Sequence, residues 1–418
     1  MRGMLRGRSF VHEALSLIHI CVLFPNAASM TLYAVSRVGR PPRRPLRSRA
    51  AGVLLLTCAL ALPGAAAAVA AGTPDVSVAA VSPARCMRIM LQQQDDRLTL
   101  QSDYDAATQT VIPERSAGVL SKEFRRVYDM LEENRRLDGR FDARMAILSH
   151  ELLGPLLPSL RKAPCVIFEI QPTSMHFALD LLQVDGTPLF VQKPVAFRFA
   201  APAGTPAGNA GSDSRQPFAA PTDAGAQSRA ASIGPQARGL ILRDPETDPD
   251  DGTGDVRRLY PGSTFQLTAT ATPDMFARGR YDFLLISGEG VVSPTWGRPE
   301  KDENDAIGLG EDDMYPKDLQ GAAFDLVYFD ASQLGMSKAF VDAARRCGAH
   351  HYLAPIISNE AGHSSALMLR YFFGGTRQGE APMDALYRAR KRIYQEFEGK
   401  VNRTEQIYYA YPFRLYLL

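Results

Sequence analysis

Two short stretches carry the residue types that could do chemistry. DLVYFDASQLG, Asp325 to Gly335, reads as a buried strand that delivers a small polar side chain, Ser332, onto a turn closed by Gly335. YDFLLISGEG, Tyr281 to Gly290, reads as a second strand ending in a Gly-Glu-Gly turn that presents Glu289. If the two strands are parallel neighbours, their carboxyl ends bring Glu289 and Ser332 together, where open α/β sheets place their sites. That geometry puts the two side chains within reach of a hydrogen bond.

A hydroxyl beside a carboxylate is a poor hydrolytic pair. A serine stays protonated and needs a base poised near the working pH, which a histidine supplies with a reference pKa of about 6.5. A glutamate starts near about 4.3 and is a weak base unless desolvation raises it. His363, after the loop SNEAG, is the candidate substitute base, against the plainer reading of a helix-start or surface histidine. His350 and His351 open the preceding strand, at the sheet end away from the site. His176 cannot be placed from the pattern.

Around these stretches the chain alternates short apolar runs with helical periodicity. VIFEI, VAFRF, GLILR, FQLTAT, DFLLIS, DLVYFD and HYLAPI read as strands, and IYYAYPFRLYLL as an aromatic final one. MSKAFVDAARRC, HSSALMLRYFF and MDALYRARKRIYQEF read as helices. Continuously apolar strands argue for a mostly parallel central sheet covered on both faces, a three-layer α/β/α fold. Upstream, Ser121 offers a cap before a helix carrying Phe124, Val127, Tyr128 and Leu131. A second helix, roughly Asp142 to Leu160, is bent or ended by Pro155 and Pro158.

In this order and spacing the chain resembles the CHAT family, a branch of the caspase-like (clan CD) cysteine peptidases, from about Met145 to the end. ELLGPLLPSLRKAPCVIFEIQPTSMHFALDLLQVDGTPLF looks like the family's opening helix, first strand and following segment, and GLILRDPET like the next core strand. YDFLLISGEG sits where the family has a strand ending in His-Gly. FDASQLG sits where it has a small residue, Cys, and a Gly three positions later. The resemblance therefore lays the catalytic His on Glu289, keeping Gly290, and the catalytic Cys on Ser332, keeping Gly335. Both halves of the dyad are replaced. A thiol is partly ionised and intrinsically nucleophilic, so losing it with its imidazole removes the chemistry rather than retuning it. The resemblance thus implies a pseudopeptidase that binds or scaffolds a protein or peptide. The alternative is an active serine-type hydrolase using Ser332 with Glu289 or His363.

The rest of the 418 residues bounds the context. Net charge is +2, which suggests no nucleic-acid surface. Arg40, Arg43, Arg44, Arg47 and Arg49 precede the apolar run Gly52 to Gly72, the layout of a secretory signal peptide at about 40–72. Synthesis starting at Met30 fits this layout better than the stretch before it. Export to the periplasm or beyond is expected; the alternative is an uncleaved anchor in the inner membrane, the chain's sole expected membrane contact. The segment 73–115 reads as a linker with at most short elements, 116–164 as a helical lead-in, and 165–418 as the CHAT-like domain. A Pro/Gly/Ala/Ser-rich insertion falls at about 200–237.

After cleavage Cys86, Cys165 and Cys347 remain, enough for one bridge at most, with burial the plainer reading for Cys165 and Cys347. Neither of those two lies at the expected nucleophile position. No CxxC pair or Cys/His ligand spacing points to zinc, and no cofactor motif is present. The acidic stretch Glu246 to Asp255 lacks calcium-loop spacing, because Pro249 occupies a ligand position. It and Glu300 to Asp305 are expected to be solvated loops, the second a rim that a partner could engage.

Overall fold

The computed structural model describes residues 86–200, 233–292 and 304–418, apart from 134 and 311. The expected signal segment, the start at Met30 and most of the Pro/Gly-rich insertion lie outside these residues.

Strands appear earlier than expected. Within the supposed linker, Met87–Gln94 (β1), Arg97–Ser102 (β2) and Gln109–Val111 (β3) form a meander. Met87, Ile89 and Leu91 are buried, while Arg88 and Met90 are half-exposed. That is the period-two pattern of a strand with one covered face. The stretch is a sheet edge, not a linker, and Cys86 at its start is bonded to Cys165. Cys165 is therefore a bridge partner rather than a plain buried thiol. Cys347 is buried and free, with Sγ 3.0 Å from the Ala344 carbonyl.

Helix α1 spans Ala117–Glu132 and is capped by Ser116, whose hydroxyl accepts from the Val119 amide at 3.4 Å. Ser121, expected as the cap, lies a turn inside and is hydrogen-bonded to His176 Nε2. Helix α2 spans Asp138–Leu153. Pro155 then tightens the chain into a 3-10 turn at Gly154–Leu156, and a short helix resumes at Leu157–Lys162.

The main elements that follow are β4 (Val166–Ile170), β5 (Val195–Phe199), β6 (Gly239–Arg243), α3 (Gly252–Leu259), β7 (Thr264–Leu267), β8 (Phe283–Ser287) and β9 (Leu326–Asp330). It continues with α4 (Lys338–Arg346), β10 (His351–Pro355), α5 (His363–Arg377), α6 (Pro382–Glu396), α7 (Arg403–Ala410) and β11 (Phe413–Leu417). Strand β7 is shorter than FQLTAT predicts, because Thr268–Thr270 turns into a 3-10 helix. The final aromatic stretch is a strand only from Phe413. Asn402 caps the preceding helix through the Glu405 amide at 2.9 Å and draws Ile407 to Ala410 into it.

These strands build one 11-stranded sheet in the order β3-β2-β1-β4-β5-β11-β10-β9-β8-β6-β7. Strands β7, β6, β8, β9 and β10 are parallel, so their carboxyl ends share one edge. Strand β11 runs antiparallel to β10 and parallel to β5. Every residue of β8, β9 and β10 is buried, as in a sheet covered on both faces by helices. The protein is an α/β fold on a mixed, mostly parallel sheet. Among the described residues no helix is long and apolar enough to cross a membrane.

Three loop expectations change. Ile233 and Ala237 are buried, so the insertion is over before residue 237. Asp248, expected in a solvated loop, is 3% exposed and accepts from Gly252 N, Thr253 N and Thr253 Oγ, which starts α3. Asp305 is also buried, while 300–303 lie outside the described residues.

Candidate functional site at the strand ends

Strands β8 and β9 pair in parallel with Phe283 opposite Leu326 and Ser287 opposite Asp330. Carrying that offset two residues further sets Glu289 beside Ser332 at the carboxyl edge. The contact is between backbones. A Cβ on Gly290 would lie 2.5 Å from Ser332 O and 3.0 Å from Ser332 N, so only glycine allows the approach. Gly335 has the same role against β10, where a Cβ would meet Ala354 O at 2.6 Å and Pro355 O at 2.8 Å. The Glu289 carbonyl is held at 3.0 Å by the amide of Gly308, in a small sheet formed by Gly290–Val291, Ala306–Leu309 and Asp312–Met314.

The side chains do not complete a dyad. Glu289 is exposed and Ser332 half-buried, and among the hydrogen bonds of the described residues none joins them. Ser332 Oγ instead donates to Asn359 Oδ1 at 3.4 Å, a long contact beside the usual range of about 2.5–3.0 Å. Asn359 Nδ2 in turn donates to Asp330 Oδ1 at 2.8 Å. The other Asp330 oxygen accepts from Ser287 Oγ at 3.0 Å and from Ser365 Oγ at 2.7 Å. Asp330, Asn359, Ser287 and Ser365 were absent from the sequence-based site. A lone aspartate closing the apolar run LVYF was the available signal for them.

Burial raises the Asp330 carboxyl to about 6, opposed by the hydroxyls of Ser365 and Ser287 and reinforced by the nearby charge of Asp248. The unfolded reference is about 3.9, so between these values the folded state holds a proton that the unfolded chain has released. This contribution to stability is complete below pH about 4 and is lost as pH rises to about 6, about 3 kcal/mol in all. Asp330→Asn is expected to remove that slope. Urea unfolding of both proteins from pH 4 to 7 measures it, and parallel curves would contradict the assignment.

Helix α1 braces the same edge. Glu132 Oε1 accepts from the Ser358 amide at 2.6 Å and from Gln333 Nε2 at 3.5 Å. It thereby ties together the loops on either side of Ser332.

The candidate histidines lie outside this network. His363 starts α5 on the correct edge, but its Nδ1 is 3.8 Å from Asp250 Oδ2 and its ring packs edge-on to Phe397. His350 is exposed, 3.6 Å from Asp325 Oδ1, and His351 is buried, with its pKa pushed down to about 4 chiefly by desolvation. Both stand at the amino end of β10, as expected. His176 is buried beside Phe177, and desolvation with the charge of Arg414 holds it neutral at about 4.

A carboxamide takes up no proton near neutral pH, so the group that meets the Ser332 hydroxyl cannot serve as its base. What the fold and strand ends define is a class: an α/β protein with a structured, hydrogen-bonded edge site. No protein-family model matches the chain, and no curated protein matches it.

Proposed function

We propose that this chain is an exported, CHAT-like pseudopeptidase that acts as a binding or scaffold module for a protein or peptide. The observation that carries this reading is the occupant of each dyad position. Glu289 stands where the family places its histidine, and Ser332, where it places its cysteine, donates a long hydrogen bond to the Asn359 carboxamide. The close glycine packing at Gly290 and Gly335 supports a frame kept around a lost reaction. The Cys86–Cys165 bridge supports export, since such bonds persist in oxidising compartments.

In this reading the partner chain crosses the carboxyl edge, over exposed Glu289 and between the loops braced by Glu132. A photoreactive phenylalanine derivative in place of Glu289, in the exported protein, is expected to trap a polypeptide adduct. The adduct persists when Ser332 is also changed to alanine. Absence of any adduct at position 289 would remove the binding reading.

A further inference from the structure

Strand β6 ends on Arg243, in register with Ser287 and thus on the same sheet edge as the site above. Beside it opens a cleft of about 590 Å³ lined by Arg243, Asp251, Gly254, Arg257, Arg258 and Phe265, among others. This volume is within the range of about 300–1,000 Å³ typical of small-molecule sites. Three guanidiniums share the lining with a single carboxylate.

The placement of that carboxylate is specific. Asp251 is in the left-handed region, at φ 57°, just before α3. Its Oδ1 lies 3.3 Å from Arg243 Nη1 and its Oδ2 3.7 Å from Arg258 Nη1, bridging two arginines inside the cleft. A Cβ at position 254 would fall 2.2 Å from Asp251 Oδ2, so Gly254 makes the room this arrangement needs. Asp248 and Asp255 back the same two arginines, at 3.2 Å from Arg243 and in a closer pair with Arg258. Arg257 differs. Among the ion pairs of the described residues none includes it, and its guanidinium lies 5.0 Å from the centre of the Phe265 ring.

We propose that this cleft binds a phosphorylated small molecule of nucleotide size, and that Asp251 occupies the anion position when the ligand is absent. Guanidiniums pair with phosphate oxygens in a planar fork, and more than one negative charge is needed to compete with a resident carboxylate. The Arg257–Phe265 stack offers a flat surface for the ligand's ring. The inference stands apart from the pseudopeptidase reading, because none of its residues belongs to the Glu289–Ser332 pair.

Two substitutions move affinity in opposite directions. Arg257→Ala removes an exposed cation and is expected to weaken binding about tenfold. Asp251→Asn keeps a residue that tolerates the left-handed backbone and removes the charge that repels phosphate. It is expected to tighten binding several-fold. Isothermal titration of the full chain with ATP and pyrophosphate, with adenosine as the uncharged control, reads both effects. Binding of the two phosphates but not adenosine, with these opposite shifts, supports the site. No binding at millimolar concentration, or affinities indifferent to both substitutions, would overturn it.

Discussion

Asp180→Ala is expected to lower the unfolding free energy by about 3–5 kcal/mol, as when one partner of a buried ion pair is removed. Asp180 is fully buried, with Arg390 Nη1 3.2 Å from Oδ2 and Arg414 Nη2 3.6 Å from Oδ1. The Tyr411 hydroxyl donates to Oδ1 at 3.1 Å. Both arginines are also almost wholly buried and serve as staples between distant segments. Arg390 donates to the carbonyls of Tyr411 and Phe413, and Arg414 to those of Met175 and Phe177. The cluster therefore fastens the 172–182 segment to β11, next to β10, the strand whose following loop carries Asn359. Alanine would leave two guanidiniums desolvated around a missing anion. Tyr411→Phe removes one hydrogen bond to that carboxylate but leaves the ion pairs, and should cost less, about 1.5–3 kcal/mol. Urea denaturation of both variants tests the ranking, and equal losses would contradict the central role given to Asp180.

The second large effect concerns the amino-terminal edge. Replacing Cys86 and Cys165 together with alanine is expected to cost about 4 kcal/mol, because the bridge closes a loop of 79 residues in the unfolded chain. In the folded state it joins the start of β1 to the start of β4, where Met87 pairs with Val166. Reductant acting on the wild type should reproduce the loss, since it breaks the same bond. A double variant that unfolds at the wild-type urea concentration would show that β1 is held by its ladder alone.

Much of the sheet was legible because its strands are apolar without interruption. VIFEI, DFLLIS, DLVYFD and HYLAPI need no alternation to be recognised when helices cover both faces. β1 was missed for the opposite reason: MRIMLQQQ has one covered face, and its alternation is short and trails into glutamines. The cap of α1 was misplaced from Ser116 to Ser121 because both are serines ahead of the same periodic face, and only the fold reveals which hydroxyl meets a free amide. The juxtaposition of Glu289 with Ser332 followed from two strands being neighbours. The partner of Ser332 did not follow, since it depends on how the loop after β10 folds back to place Asn359 between two strand ends. Likewise, Asp248 looked like one acid among many until α3 was seen to begin on it.

The central claim is that Ser332 marks a site that no longer cleaves. It is tested most directly by incubating the folded protein with a complex peptide mixture and a hydroxyl-reactive phosphonate, beside Ser332→Ala. Products and labelled sites are read by mass spectrometry. The predicted result is no phosphonate on Ser332 and identical peptide profiles for the two proteins. Labelling of Ser332, or cleavage products that vanish in Ser332→Ala, would contradict it and establish a serine hydrolase.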